Sequence, residues 1–198
     1  MKVGLFGGSF NPIHIGHLLI IDRAIEELGL DRLIVKPTAC NPHKMANSDI
    51  APAEHRLAMA RIATAELRNI FPRLEVSDLE IKRGASSYTI DTVKELKKEN
   101  CEVFLMIGGD SYNSLYLWHK IDELKKLVTF AVARRPGYNT TDFYQKDRPD
   151  KIDLDIPNID ISASEIRRRL KDNHSVNFLM PNGVVEYIRE HELYLTSK

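Results

Sequence analysis

A short apolar run, Val3 to Phe6, stops at Gly7-Gly8-Ser9, and the amphipathic stretch Leu18 to Leu28 begins soon after. The run reads as a buried strand and the stretch as a helix. A strand that turns through glycine into a helix commits the chain to a strand–helix–strand unit, whose second strand lies parallel to the first by a right-handed crossover. Gly29 supplies the left-handed stop, and Arg32 to Lys36, ended by Pro37, supplies that second strand. The turn also carries chemistry. Its glycines let a ligand approach the main chain, and the free N–H groups of a helix's first turn attract an anion, so phosphate is the natural guest. His14 and His17 are three residues apart. A helix that has begun by His14 would hold both imidazoles on one face beside that phosphate. The alternative is two helix-start histidines with no chemical task. Neither Gly-x-Gly-x-x-Gly nor a P-loop is present.

The rest of the chain keeps the alternation. Pro52 opens a helix with Leu57, Ala60, Arg61 and Ala65 on a mixed face, and Leu74 to Ile81 alternates as a half-buried strand near an edge. Ser86-Ser87-Tyr88-Thr89 offers N-caps for a helix through Ile90, Val93 and Leu96. Val103 to Ile107 and Val128 to Ala133 are unbroken apolar runs, the mark of strands covered on both faces, and Ile152 to Ile156 is a sixth candidate. Asn139 to Asp150 is a polar loop. The expected fold class is α/β, a Rossmann-like, doubly wound, mostly parallel sheet. It forms a single domain over residues 1–198, with 162–198 as a small carboxy-terminal helical part. Ligands of such sheets bind outside the carboxyl ends of the strands, which gathers Gly7 to His17, Gly108 to Asp110 and Arg134 to Gly137 at one edge.

Composition narrows the ligand. Basic and acidic residues balance at 28 each, so nothing draws the whole molecule to nucleic acid, and any phosphate site is local and its guest small. Cys40 and Cys101 form no Cys-x-x-Cys pair, which suggests neither a disulfide scaffold nor a cysteine zinc site. No run approaches the ~20 apolar residues of a membrane span, and the first strand is too short for a secretory core. A cytoplasmic protein without a membrane partner is expected. Its oligomeric state stays open, a homo-oligomer included.

Ile161-Ser162-Ala163-Ser164-Glu165-Ile166-Arg167 is the other informative stretch. Ser162 and Glu165 have capping-box spacing, so this is a second helix start with amides for a phosphate and Arg167 close by. An ordinary capped helix with solvated arginines at 167–169 is the competing reading. The pairing of this stretch with His14-Ile15-Gly16-His17 is what changes the balance. Together they resemble the two motifs of the HxGH-type nucleotidylyltransferase superfamily. The resemblance extends to its bacterial nicotinate-nucleotide adenylyltransferase branch through Asn-Pro-His-Lys at 41–44, Ser-Tyr-Thr at 87–89, Gly-Gly-Asp at 108–110, Trp118 and Arg-Arg-Pro-Gly at 134–137. Asn11, Asn41 and Ala163 depart from the commonest pattern, where aspartate, proline and a hydroxyl residue are frequent.

The resemblance implies an adenylyltransferase that joins ATP and nicotinate mononucleotide and releases pyrophosphate. His14, His17, Lys44 and Arg167 would be the catalytic groups. Gly7, Gly8, Ser9, Phe10, Gly109, Asp110, Ile161 and Ser162 would join His14, His17 and Arg167 around ATP. Lys44, Ser87, Tyr88, Thr89, Trp118 and Arg134 would receive nicotinate mononucleotide. Mg2+ would arrive on the ATP phosphates, with no dedicated protein ligands. A phosphate monoester is already a competent nucleophile, so the site needs cations and N–H donors rather than a general base. Imidazoles acting as cations would lose activity as they deprotonate. Trp118 is open to two readings, a cation–π partner for the pyridine ring or a core residue. Asp110 would meet a ribose hydroxyl or merely cap a helix. Pantetheine-phosphate adenylyltransferase, a nucleotide-sensing module without turnover, and zinc held by His14 and His17 are the competing identities.

Overall fold

The computed structural model describes residues 1–39, 49–83, 88–133 and 151–195. Its strands are β1 (Lys2–Gly8), β2 (Arg32–Pro37), β3 (Leu74–Val76), β4 (Glu102–Gly108), β5 (Val128–Ala133) and β6 (Lys151–Leu154). Its helices are α1 (Ile15–Leu28), α2 (Ala53–Ala63), α3 (Ala65–Ile70), α4 (Leu79–Arg83), α5 (Thr89–Lys97), α6 (Gly109–Asn113), α7 (Ile121–Leu124), α8 (Ala163–Lys171) and α9 (Asn182–Glu190). The strands form one sheet in the order β3-β2-β1-β4-β5-β6. Every pairing is parallel. The winding reverses between β1 and β4, and the crevice above that reversal is where such sheets receive ligands.

Alternation along the strands sorts the core into two layers. Val3, Leu5, Ile34, Val103, Leu105 and Phe130 pack with Val93, Tyr112 and Leu124 of α5, α6 and α7. Phe6, Leu33, Val35, Phe104, Met106 and Ala131 pack with Ile21, Met59, Ile166 and Ile188 of α1, α2, α8 and α9. Both faces are therefore covered, which is why the strands read as unbroken apolar runs. Gly4 is bare because α1's exit runs tightly over it: a Cβ there would lie 2.6 Å from Leu30.

Several boundaries differ from those the sequence predicts. Gly29 stops α1 in the left-handed region, φ 58°, as expected. The alternation of Leu74 to Ile81 predicts one strand, but the chain leaves the sheet after Val76. Ser77 Oγ accepts the Leu79 N–H at 3.3 Å and the Asp78 carbonyl accepts the Lys82 N–H at 2.9 Å, turning the chain into α4. Glu80 points into a buried ion pair with Lys36, a partner far away in sequence. The helix expected through Ala65 breaks at Thr64, whose hydroxyl donates to the Ala60 carbonyl at 2.9 Å. Arg134 to Gly137 and the loop Asn139 to Asp150 lie outside the described residues. Among the described residues no helix is long and apolar enough to cross a membrane.

Candidate active site

β1 ends at the carboxyl edge with Gly7 exposed and Gly8 half-buried. Phe10 then turns back at φ 45° with its ring buried. The ring lies over Gly8, where a Cβ would meet it at 3.1 Å. It stands edge-on to Phe6 at 5.3 Å and to His17 at 5.1 Å.

The histidines meet by a route that helix geometry does not predict. His14 is extended, φ −146° and ψ 172°, and precedes α1 instead of lying in it. Its main-chain N–H donates to Nδ1 of His17 at 3.2 Å. The two rings stack with centroids 3.7 Å apart and 33° between their planes, and His14 is 1% exposed. Gly16 makes room for this, because a Cβ there would meet the His14 ring at 3.1 Å. The bond engages Nδ1 of His17 as an acceptor and fixes how the ring is turned at the head of α1.

The far end of the chain closes over the same turn. Ser162 Oγ accepts the Glu165 N–H at 3.2 Å, the capping bond expected at the start of α8. The Glu165 carboxylate instead holds Arg168 at 2.7 Å, so the reciprocal half of the box is not made. Arg167 Nη1 donates to the Asn11 carbonyl at 2.8 Å, and the Ile15 N–H donates to the Leu179 carbonyl at 2.9 Å. Asn11 is a buried junction. Its Nδ2 donates to the Asp49 carbonyl at 2.9 Å, and its Oδ1 accepts the Ala51 N–H at 3.0 Å and the Tyr194 hydroxyl at 2.7 Å. Aspartate at this position could not donate, which gives the asparagine its local reason. Burial pushes the Tyr194 hydroxyl well above its ordinary pKa, and the positive charges of Arg167 and Arg56 pull it partly back. Ala163 opens α8 with no polar side chain.

Across the crevice, Gly109 is buried at the start of α6 and Asp110 is exposed in its first turn. Tyr88 precedes α5 and makes no side-chain capping bond, and its carbonyl accepts the Asp91 N–H at 3.0 Å. The Tyr88 ring stacks on His119 at 4.1 Å and 26°. Trp118 is half-buried against the core, in keeping with both of its readings. Lys36, paired in register with Gly7 of β1, anchors α5 to this edge. Its Nζ donates to Thr92 Oγ1 at 2.8 Å and pairs with Glu80, all three side chains being buried. Lys44, Ser87, Arg134, Cys40 and Asn41 lie outside the described residues.

A small cleft opens between α1 and the end of β5, walled by Gly16, Ile20, Ala133, Ile156, Pro157 and Ile161. Of its wall the sequence signals only Gly16 and Ile161, through the two motifs. Arg56, Lys36, Glu80 and Tyr194 also escape a sequence reading, because each acts through a partner distant in the chain. No group of three or more His, Cys, Asp or Glu that could hold a metal occurs among the described residues.

A family model described as Cytidylyltransferase-like matches residues 5–169. A "Probable nicotinate-nucleotide adenylyltransferase" of Lactiplantibacillus plantarum is 42% identical, over 98% of this chain and 88% of its own. One of the same description from Thermus thermophilus is 41% identical, over 98% of this chain and all of its own (100%). Among solved structures, the Plasmodium falciparum nicotinic acid mononucleotide adenylyltransferase complexed with NaAD superimposes with a TM-score of 0.83 at 22% identity, covering 98% of this chain and 97% of that one. With the HxGH turn, the doubly wound parallel sheet and these full-length relatives together, the chain belongs to the nicotinate-nucleotide adenylyltransferase family.

Proposed function

We propose that the protein transfers the adenylyl group of ATP to nicotinate mononucleotide. An oxygen of the acceptor phosphate attacks the α-phosphorus in line, the bond from that phosphorus to the bridging oxygen breaks, and pyrophosphate leaves with both electrons. No covalent enzyme intermediate or general base is needed, so catalysis reduces to alignment and stabilisation of charge.

The observation that carries this reading is the capped histidine pair at the crevice. His17 Nδ1 accepts the His14 N–H, which fixes the ring at the crevice with His14 stacked behind it, and an imidazole held there can stabilise charge on a phosphate oxygen. Gly7, Gly8, Ser9 and Phe10 bring main chain to the triphosphate, and the start of α8 at Ser162 with Arg167 completes an electropositive rim. The apolar cleft ending at Ile161 suits a purine ring. Gly109 and Asp110 suit the ribose. On the other side, the uncapped start of α5 at Tyr88 and Thr89 suits the nicotinate carboxylate, which gains more from a helix N-terminus than a neutral amide does. Trp118 suits the flat cationic ring. Lys44, Ser87 and Arg134 join these by family pattern.

Mg2+ carried on the triphosphate would neutralise charge there through substrate oxygens, without a protein cage. We further read the chain as one domain over 1–198 with its helical part at 162–198, working in the cytoplasm on these two small substrates. Pyrophosphate release from ATP and Mg2+ tests the reading, with nicotinate mononucleotide, nicotinamide mononucleotide and phosphopantetheine as alternative acceptors. Release should be fastest with the first. Release with phosphopantetheine alone, or ATP binding with no release, would sink it.

A further inference from the structure

After α9 the chain doubles back. The Leu193 N–H donates to the Ile188 carbonyl at 3.0 Å, and Glu192 and Tyr194 both take the left-handed conformation, φ 50° and 64°. L residues rarely adopt it, because Cβ crowds the following carbonyl, and they keep it where their surroundings require it. The reversal carries the Tyr194 hydroxyl inward to Asn11 Oδ1, 183 residues away in sequence and 2.7 Å away in space. Burial holds that hydroxyl in its protonated form, so it donates.

Asn11 passes the contact on. Its two other side-chain bonds, to the Asp49 carbonyl and from the Ala51 N–H, both run to one segment ahead of α2, so Tyr194 is its link to the carboxy-terminal tail. The Asn11 carbonyl in turn accepts Arg167 Nη1 at 2.8 Å. Arg167 has little else to aim it. Its Nη2 reaches Ser164 Oγ at 3.4 Å, and its buried Nε has no hydrogen-bond partner among the described residues. A hydrogen bond from an ionised donor is a strong one, so the place of the Asn11 carbonyl decides where the guanidinium points.

We propose that Tyr194 is a positioning residue for Arg167, acting through Asn11. The proposal rests on the reading of Arg167, given above, as a group that stabilises charge on the triphosphate. Fastened to both segments, Asn11 presents its carbonyl in one place. Without the hydroxyl it is tied to the segment at Asp49 and Ala51 alone, and Arg167 follows a looser carbonyl. Tyr194 touches neither substrate in this scheme. Donors fixed in advance stabilise developing charge because they need no reorientation during the step, so loosening one is read in the rate.

The test is a double-mutant cycle. Tyr194→Phe, Arg167→Ala and the double variant are compared with wild type in turnover, KM for each substrate and thermal melting. Tyr187→Phe is the control, because it removes a hydroxyl of α9 that meets His55 Nδ1 at 2.9 Å instead of Asn11. Tyr194→Phe should lower kcat/KM for ATP about 3- to 10-fold, with KM for nicotinate mononucleotide little changed, and Arg167→Ala should lower it about 10²-fold. In the Arg167→Ala background the tyrosine change should cost less than about twofold, because groups that act through one network do not add. Tyr187→Phe should keep wild-type turnover. Wild-type kcat/KM in Tyr194→Phe would overturn the proposal. So would an undiminished loss in the Arg167→Ala background, a matching rise in KM for nicotinate mononucleotide, an equal loss in Tyr187→Phe, or failure of Tyr194→Phe to fold where Tyr187→Phe folds. Wild-type turnover in Arg167→Ala removes Arg167 from the step and the proposal with it. A wild-type protein inactive with nicotinate mononucleotide overturns the adenylyl-transfer reading itself, whereas an active wild type beside an equally active Tyr194→Phe overturns the proposal alone.

Discussion

The two sides of the crevice are built differently. On the side of the glycine turn, Asn11 ties together Asp49, Ala51, Tyr194 and Arg167, and two stacked histidines share a buried cap. Opposite, Tyr88 is 40% exposed and stacks on an exposed His119, beside a half-buried Trp118. The contrast follows the demands of the proposed reaction. In-line displacement punishes small errors in the placement of phosphate, so its donors need a surrounding shell that fixes them. A flat ring can slide on an aromatic face at little cost.

The sharpest way to break this contrast is at His17. His17→Ala removes the oriented imidazole and should cut turnover by about 10²-fold or more, with a smaller effect on ATP affinity by calorimetry. Trp118→Ala should act on the other side only, raising KM for nicotinate mononucleotide about 3- to 30-fold with kcat and the KM for ATP little changed. An equal loss in kcat would place the indole among the groups that align the reactants.

Smaller effects sharpen the comparison. Tyr194 has its folded-state pKa raised by burial, so the folded protein holds that proton more tightly than the unfolded chain. Its stabilising contribution is complete below the unfolded value of about 10 and is lost as pH rises beyond it. Tyr194→Phe should cost about 1 kcal/mol at neutral pH and flatten the decline in melting temperature above about pH 10. A decline as steep as wild type would assign the alkaline weakness to another group. Arg168→Ala, which removes exposed ion pairs to Glu165 and Asp172, should leave melting temperature and turnover unchanged within error.

What could be read from the sequence was what local rules govern. The glycine turn, the left-handed stop at Gly29, the covered strands and the cap at Ser162 each follow from residues within a few positions of one another, and each is where it was expected. The failures share a cause. Leu74 to Ile81 alternates like a strand, but Glu80 answers to Lys36, 44 residues away. The face of α2 around Leu57 and Arg61 looked mixed, yet its neighbour Arg56 donates to three separate main-chain carbonyls, at Ser9, Ala39 and Ala51. His14 lies at helical spacing from His17 but outside the helix, a distinction set by one main-chain bond. Long-range polar partners leave no periodic trace, and they hold most of the site together.

β1 has a last consequence, in time. It carries the glycine turn and is made before the five strands it joins, yet its partner β4 pairs Glu102 with Lys2. Arg167, which meets Asn11 across 156 residues, emerges later still. At about 5–20 residues per second of synthesis, β1 waits several seconds for β4 and longer for α8. The proposed phosphate site is therefore complete only once α8 has been made and Arg167 has met Asn11.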